Sequence, residues 1–237
     1  MAACPTLKGI IFDLDGTLTD HPSVLAEAFK ESMKKYGKEI SIETGQMLAK
    51  NMQLQVAGIE STFTYIKFLN RVIKERGIQG VFRRLRFIRD FIKIFQTLTC
   101  KTKMFPGIPE LLRDIHNRGF KICIVTSSSR KEVDRSFTEI RDQVIPLVDA
   151  VLTRDDVEEL KPNPASILAA TAKLGIDRSQ VVIIGDSWHD IRAGKNAGIR
   201  TIAVLWGYGT QENLSAESPD FIVKTPQEIL DILTKLN

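Results

Sequence analysis

The sequence predicts an α/β protein: a three-layer core built on a parallel sheet, with an all-helical segment inserted after the first strand. Six short apolar runs rich in Ile and Val lie along the chain, five of them after residue 105. Amphipathic stretches of helical length separate most of these runs, and residues 20–104 contain no comparable run. Strands that alternate with helices pair in parallel, and near-continuous apolar strands are covered on both faces. The expected division is a core from residues 1–19 and 105–237, with a helical domain from residues 20–104.

The first strand is "LKGIIFD", which drives an apolar run into Asp13 and Asp15. Helices follow. "AEAFKESMKKYG" is closed by Gly37, and in "VFRRLRFIRDFIKIF" Val81, Leu85, Ile88, Ile92 and Phe95 recur at helical spacing as the apolar face. Arg83, Arg84, Arg86, Arg89 and Lys93 then occupy mostly the outer face, where solvation is the ordinary role and a carboxylate or phosphate on a substrate is the alternative. "MFPGIPELL" returns the chain to the core, with Pro106, Gly107 and Pro109 marking a turn into a helix. The remaining strands are "KICIVTSS" (121–128), "LVDAVLT" (147–153), "VVIIGDS" (181–187), "TIAVLWG" (201–207) and "FIVKT" (221–225). The chain has no internal repeat and no low-complexity tract.

Composition excludes several classes. No apolar stretch approaches the roughly 18 residues of a membrane span, and Lys8 leads straight into a short strand rather than a signal-peptide apolar region, so a cytoplasmic protein without a membrane partner is expected. Cys4, Cys100 and Cys123 are odd in number and far apart, which indicates reduced, structural thiols. His21, His116 and His189 have no HExxH or paired-Cys context, so a bound metal should prefer oxygen ligands. Net charge is +4, but residues 20–104 hold 16 Lys/Arg against 8 Asp/Glu while the remainder holds 17 against 21. A basic helical part beside an acidic core suits a small anionic ligand. So modest a charge, with no reader motif, does not point to nucleic acid.

In a parallel α/β sheet, ligands bind beyond the carboxyl ends of the strands. Asp13 and Asp15 follow "GIIF", Thr126 and Ser127 follow "ICIV", and Asp186 and Ser187 follow "VVIIG". One polar strand end is routine turn chemistry; three with carboxylates and hydroxyls make a shared site. An EF-hand does not fit "DLDGTLTD", because Thr17 and Leu18 replace the required residues, Val24 replaces the terminal Glu, and a strand precedes the loop.

"DLDGTLTD", "VTSSS", "KPNP" and "GDSWHD" together resemble the four ordered motifs of the haloacid dehalogenase superfamily of phosphatases, in type, order and strand-end placement. The resemblance covers residues 9–19 and about 105–210 and implies a Rossmann-like core. The helical segment matches that superfamily's C1-type cap in position and approximate length. It implies Asp13 as nucleophile, forming an aspartyl-phosphate, and Asp15 as the acid and then base. Gly16 would let the backbone approach the phosphate. Thr126 and Ser127 would bind phosphoryl oxygens, helped by a helix starting near Ser128 or Ser129, although "TSSS" alone reads as a helix cap. Lys161 would offset repulsion between nucleophile and phosphate.

Asp186 and Asp190, four apart, would face one another across a helical turn. Mg²⁺ would be held by Asp13, Asp186 and the Asp15 backbone carbonyl, with Asp190 a supporting partner that orients water or Lys161. His189 is ordinary. A dehalogenase is disfavoured, since that branch has tyrosine where Asp15 stands.

The resemblance is to phosphoglycolate phosphatase and related enzymes, supported by "WGYG" (206–209), itself readable as a tight loop anchored by Trp206. It implies a small phosphomonoester as substrate, phosphoglycolate-like or a sugar phosphate. The alternatives are a β-phosphoglucomutase-like phosphotransferase, a pyrophosphatase and, remotely, a non-catalytic phosphate-binding module. A monomer or homodimer is expected.

Overall fold

Strand β1 (Gly9–Phe12) has no polar side chain to place in water, and all four residues are buried at the middle of a six-stranded sheet. The structure, a computed structural model, describes residues 6–56 and 62–236. After β1 come four helices in succession: α1 (His21–Lys35), α2 (Ile42–Val56), α3 (Thr62–Glu75) and α4 (Val81–Thr99). The alternating part follows: α5 (Ile108–Asn117), β2 (Lys121–Val125), α6 (Arg130–Ser136), α7 (Arg141–Val144), β3 (Ala150–Leu152), α8 (Ala165–Leu174), β4 (Val181–Gly185), α9 (Trp188–Ala197), β5 (Arg200–Val204), α10 (Gln211–Ala216), β6 (Phe221–Val223) and α11 (Pro226–Lys235). Five of the six strands fall inside the runs that predicted them, and β5 begins one residue earlier, at Arg200.

The strand order is β3-β2-β1-β4-β5-β6, and every pair is parallel. Side chains alternate between the two faces. Ile10, Phe12, Ile122, Ile124, Val182 and Ile184 enter a core closed by Leu111 and Ile115 of α5, Val133 of α6 and Ile229 and Leu233 of α11. Ile11, Cys123, Val125, Val181 and Ile183 point the other way, onto Ile167 and Ala170 of α8 and Ala193 and Ala197 of α9. These are the three expected layers. Cys123 is a free thiol within this apolar packing, where burial pushes its pKa up to about 12, and Cys100 is half-buried and also free. Cys4 lies outside the described residues.

The first four helices enclose a hydrophobic cluster of their own, formed by Leu25, Phe29, Met33, Leu69, Ile73, Phe87 and Phe91 among others. Two chain passages join them to the sheet side by side: Thr19 bridges Met104, and the Asp20 N–H donates to the Lys103 carbonyl at 2.8 Å. Asp20 also caps α1, accepting from the Ser23 N–H at 3.1 Å.

Helix α4 turns differently from the apolar stripe read from its sequence. Val81, Leu85 and Ile92 are 60%, 55% and 43% exposed, whereas Phe87, Ile88 and Phe91 are buried. Two apolar stripes compete along this helix, and aromatic packing on α1 selects between them. Phe91 meets Phe29 at 4.7 Å and Phe87 meets Tyr36 at 5.1 Å, centroid to centroid. The turn also buries Asp90, which Lys35 reaches at 2.7 Å and Arg89 at 3.2 Å. Arg83, Arg86, Arg89 and Lys93 lie on the outer face, as expected, and Arg84 is half-buried with its Nε donating to Asn70 at 2.7 Å.

Candidate active site

Register brings the site together. Phe12 pairs with Ile124 on one side and with Ile184 on the other. Asp13, Thr126 and Asp186 therefore leave three neighbouring strands at nearly the same level, with adjacent strands about 4.8 Å apart. All three side chains are buried.

Lys161 joins them from the loop before α8. Its ammonium donates to Asp13 Oδ1 at 2.6 Å, Asp190 Oδ1 at 2.6 Å and the Val125 carbonyl at 3.1 Å. All three of its hydrogens are engaged, so it is a fixed charge rather than a mobile surface lysine. Burial works against its protonated form, but the two carboxylates outweigh that and hold its pKa above the ordinary value.

Asp186 stands just before α9 rather than within its first turn. Its Oδ1 accepts from the Thr17 hydroxyl at 3.2 Å and its Oδ2 from the Tyr208 N–H at 2.7 Å. Asp190 is in the first turn, where its Oδ2 accepts from the Ser187 N–H at 3.0 Å and hydroxyl at 2.6 Å, so it caps the helix while orienting Lys161. Gly16 has φ +105°, and a Cβ there would fall 2.4 Å from Asp186 Oδ2; glycine is required to admit that carboxylate.

Carboxylate oxygens of Asp13, Asp186 and Asp190 lie within 4.8 Å of one another. Burial, with the neighbouring carboxylates adding, pushes the Asp13 pKa well above the usual range despite Lys161. Burial and Asp190 push Asp186 up to about 7, against the pull of the Tyr208 N–H, Thr17 and Lys161. Three buried carboxylates around one ammonium leave an excess of negative charge. An all-oxygen donor set with that excess fits a hard divalent cation such as Mg²⁺. Asp190 is tied to the Lys161 ammonium through Oδ1 and to the Ser187 cap through Oδ2, whereas Asp186 accepts from neutral donors only, so Asp13 and Asp186 are the side chains that would hold it.

Asp15 turns to the other side of the site. Its Oδ2 accepts from the Ser128 hydroxyl at 2.7 Å and from Thr126 at 3.5 Å, the limit of a hydrogen bond; Thr19 reaches its Oδ1 at 3.4 Å. The Ser128 N–H in turn donates to Thr126 Oγ1 at 3.0 Å. Helix α6 begins at Arg130 with Ser129 as its cap, matching the expected start, and the Ser127 side chain is exposed beside it.

The sequence reading missed Ser128, Thr17 and Tyr208 as contacts. Ser128 lay within the quoted "VTSSS" and Thr17 within "DLDGTLTD", but residue type alone did not say which hydroxyl reaches which carboxylate. His189 stacks on Trp188 with centroids 3.8 Å apart, and burial holds its pKa down at about 4; it stands outside the carboxylate cluster.

Fold and site define a class: a parallel α/β enzyme whose acidic cluster sits at the carboxyl ends of its central strands. A family model described as haloacid dehalogenase-like hydrolase matches residues 10–204, and the chain belongs to that family. It is 27% identical over 232 residues to a phosphoglycolate phosphatase of Aquifex aeolicus, covering 96% of this chain and 97% of the relative. It is 28% identical over 237 residues to the pyrophosphatase PpaX of Bacillus pumilus, again covering 96% and 97%. A crystal structure of a HAD family hydrolase from Deinococcus radiodurans, with bound phosphate and sodium, superposes with a TM-score of 0.78 at 16% identity, over 97% of this chain and 96% of that one. Among the described residues, no helix is long and apolar enough to cross a membrane.

Proposed function

We propose that this chain is a Mg²⁺-dependent phosphatase that hydrolyses a small phosphomonoester, phosphoglycolate-like or a sugar phosphate, through an aspartyl-phosphate on Asp13. The observation that carries the reading is the buried contact of Lys161 with both Asp13 and Asp190 beside Asp186, with Asp15 held separately by Ser128. A carboxylate kept at a strand end by a fixed ammonium is positioned as a nucleophile. A second carboxylate held apart from it by neutral hydroxyls is positioned to move protons.

In this mechanism an Asp13 oxygen forms a bond to phosphorus while the bond from phosphorus to the leaving oxygen breaks. Protonated Asp15 gives its proton to that oxygen, and the alcohol departs. Asp15, now a carboxylate, takes a proton from water as the water attacks phosphorus; phosphate leaves and Asp13 is regenerated. Lys161 offsets negative charge throughout, and Thr126, Ser127 and the N–H groups at the start of α6 receive phosphoryl oxygens. Asp13, Asp186 and the Asp15 carbonyl would hold Mg²⁺, which supplies positive charge against the carboxylates and the phosphoryl group.

Residues 20–104 are proposed to act as a cap that closes on the core, excludes water and contacts the part of the substrate beyond phosphate. Pyrophosphate is a second substrate to consider, because the PpaX relative spans nearly the whole chain. The test is phosphate release from a panel of phosphoglycolate, sugar phosphates, nucleotides and pyrophosphate, with Mg²⁺ or with chelator. The account expects release that requires Mg²⁺ and falls by at least about 10³-fold in Asp13→Asn. Release unaffected by that substitution would overturn the assignment of the nucleophile.

A further inference from the structure

"WGYG" (206–209) touches both halves of the molecule. Trp206 Nε1 donates to the Thr17 carbonyl at 3.0 Å, and the Tyr208 N–H donates to Asp186 at 2.7 Å. The loop has no room to slide. A Cβ on Gly207 would lie 2.2 Å from Asp186 Oδ2 and 2.3 Å from the Gly16 carbonyl oxygen, and one on Gly209 would lie 2.1 Å from the Asp186 carbonyl oxygen. The Tyr208 backbone is thus locked to Asp186.

Its side chain belongs elsewhere. Tyr208 is 3% exposed, and it packs in the hydrophobic cluster of the first four helices rather than in the sheet core. Its hydroxyl meets His21 Nδ1 at 2.6 Å. His21 is the first residue of α1, directly after the passage between sheet and helices, and its ring sits edge-on to Phe95 of α4 at 5.3 Å.

We infer that Tyr208 and His21 form a latch that sets the helical segment in position relative to Asp186, and that both are positioning residues for the reaction. The inference rests on the proposed phosphatase reading for its kinetic consequence and on the geometry alone for its mechanical one. If the helices swing away from the core, either the Tyr208–His21 bond breaks or the Tyr208 backbone pulls on the carboxylate that it contacts. Seating of the helices and placement of Asp186 are then one event. Neither side chain touches Asp13 or Asp15; both act through the placement of Asp186, so the effect falls first on turnover.

Three variants test it: Tyr208→Phe, His21→Ala and the double variant. His21→Asn serves as the conservative control, because its amide reaches about as far as Nδ1. Phosphate release and amide hydrogen exchange of residues 20, 21 and 101–105 are measured on each full-length protein. The latch predicts that each single variant lowers kcat about tenfold, the loss of one well-placed hydrogen bond, with KM little changed. The double variant falls no further than either single one, and His21→Asn recovers most of the rate. Exchange in both passages rises in the variants that break the bond.

Wild-type kcat in Tyr208→Phe, or additive losses in the double variant, would overturn the latch. Should the wild-type protein release no phosphate from any substrate, the phosphatase reading fails by itself and exchange decides the latch: faster exchange in Tyr208→Phe supports it, and unchanged exchange rejects it.

Discussion

In the sheet core, Asp13, Thr126 and Asp186 leave three adjacent strands at matched positions; in the helical segment, Arg83, Arg86, Arg89 and Lys93 spread along the outside of one helix. The core side chains are fixed by backbone register, which two parallel ladders determine. The helix side chains are fixed by how α4 is rotated, which depends on its packing against α1. Functional positions in the core are therefore local consequences of strand ends, while those of the helical part are consequences of tertiary fit. Position along α1 makes the same point. Tyr36, beside Asp90, is fifteen residues from His21, or roughly 22 Å along the helix at 1.5 Å per residue. The open groove lined by Lys35, Tyr36, Phe82, Arg83 and Arg86 is thus at the far end of α1 from His21.

The contrast is broken most severely at Lys161. Lys161→Met removes the one ammonium from three buried carboxylates, and phosphate release should fall by about 10²–10³-fold. The same change should lower metal-free unfolding stability by about 3–5 kcal/mol, because it strands Asp13 and Asp190. Added Mg²⁺ should recover part of the stability, which denaturant melts with and without the cation would show.

The rotation of α4 is tested by a pair of truncations. Phe91→Ala should cost about 3–5 kcal/mol, whereas Leu85→Ala should stay within about 0.5 kcal/mol. Similar costs at the two positions would restore the stripe predicted by sequence spacing.

The smallest effect is at Asp90. A hydrogen bond from Lys35, with others from Arg89 and Tyr36, holds its carboxyl down at about 2 against the opposing effect of burial. The native state then binds fewer protons than the unfolded chain between that value and the ordinary 3.8, so the stabilisation is complete above 3.8 and is lost as pH falls toward 2. Its partners Lys35 and Arg89 are largely exposed, which limits the effect to about 1 kcal/mol. Asp90→Asn should lower Tm at pH 7 by roughly 2–4 °C, and calorimetry at decreasing pH should see that gap close.

Most of the sheet was legible because a buried parallel strand needs a short continuous apolar run and leaves its polar residues at one end. "IIFDLD", "CIVTSS" and "IIGDS" each displayed both features, so the residues of the cluster could be named before any contact was known. Spacing alone left Asp190 either facing a cation or gripping Lys161, because both arrangements suit a carboxylate on the first turn of a helix; the resemblance had it orient water or Lys161, and the contact is with Lys161. Nor could it rank the stripes of α4, since Ile88 belongs to both and the choice rests on Phe29 and Tyr36 of another helix. Tyr208 was hidden for a similar reason: its backbone serves the core while its ring serves the helices.

Trapping the covalent intermediate tests the central claim most directly. Protein mixed with a phosphate-labelled substrate and Mg²⁺, then quenched in acid within one turnover, should carry label on Asp13 that alkali releases, and Asp13→Asn should carry none. Turnover in the wild-type protein with no labelled protein at any quench time, or label found on another residue, would contradict the account.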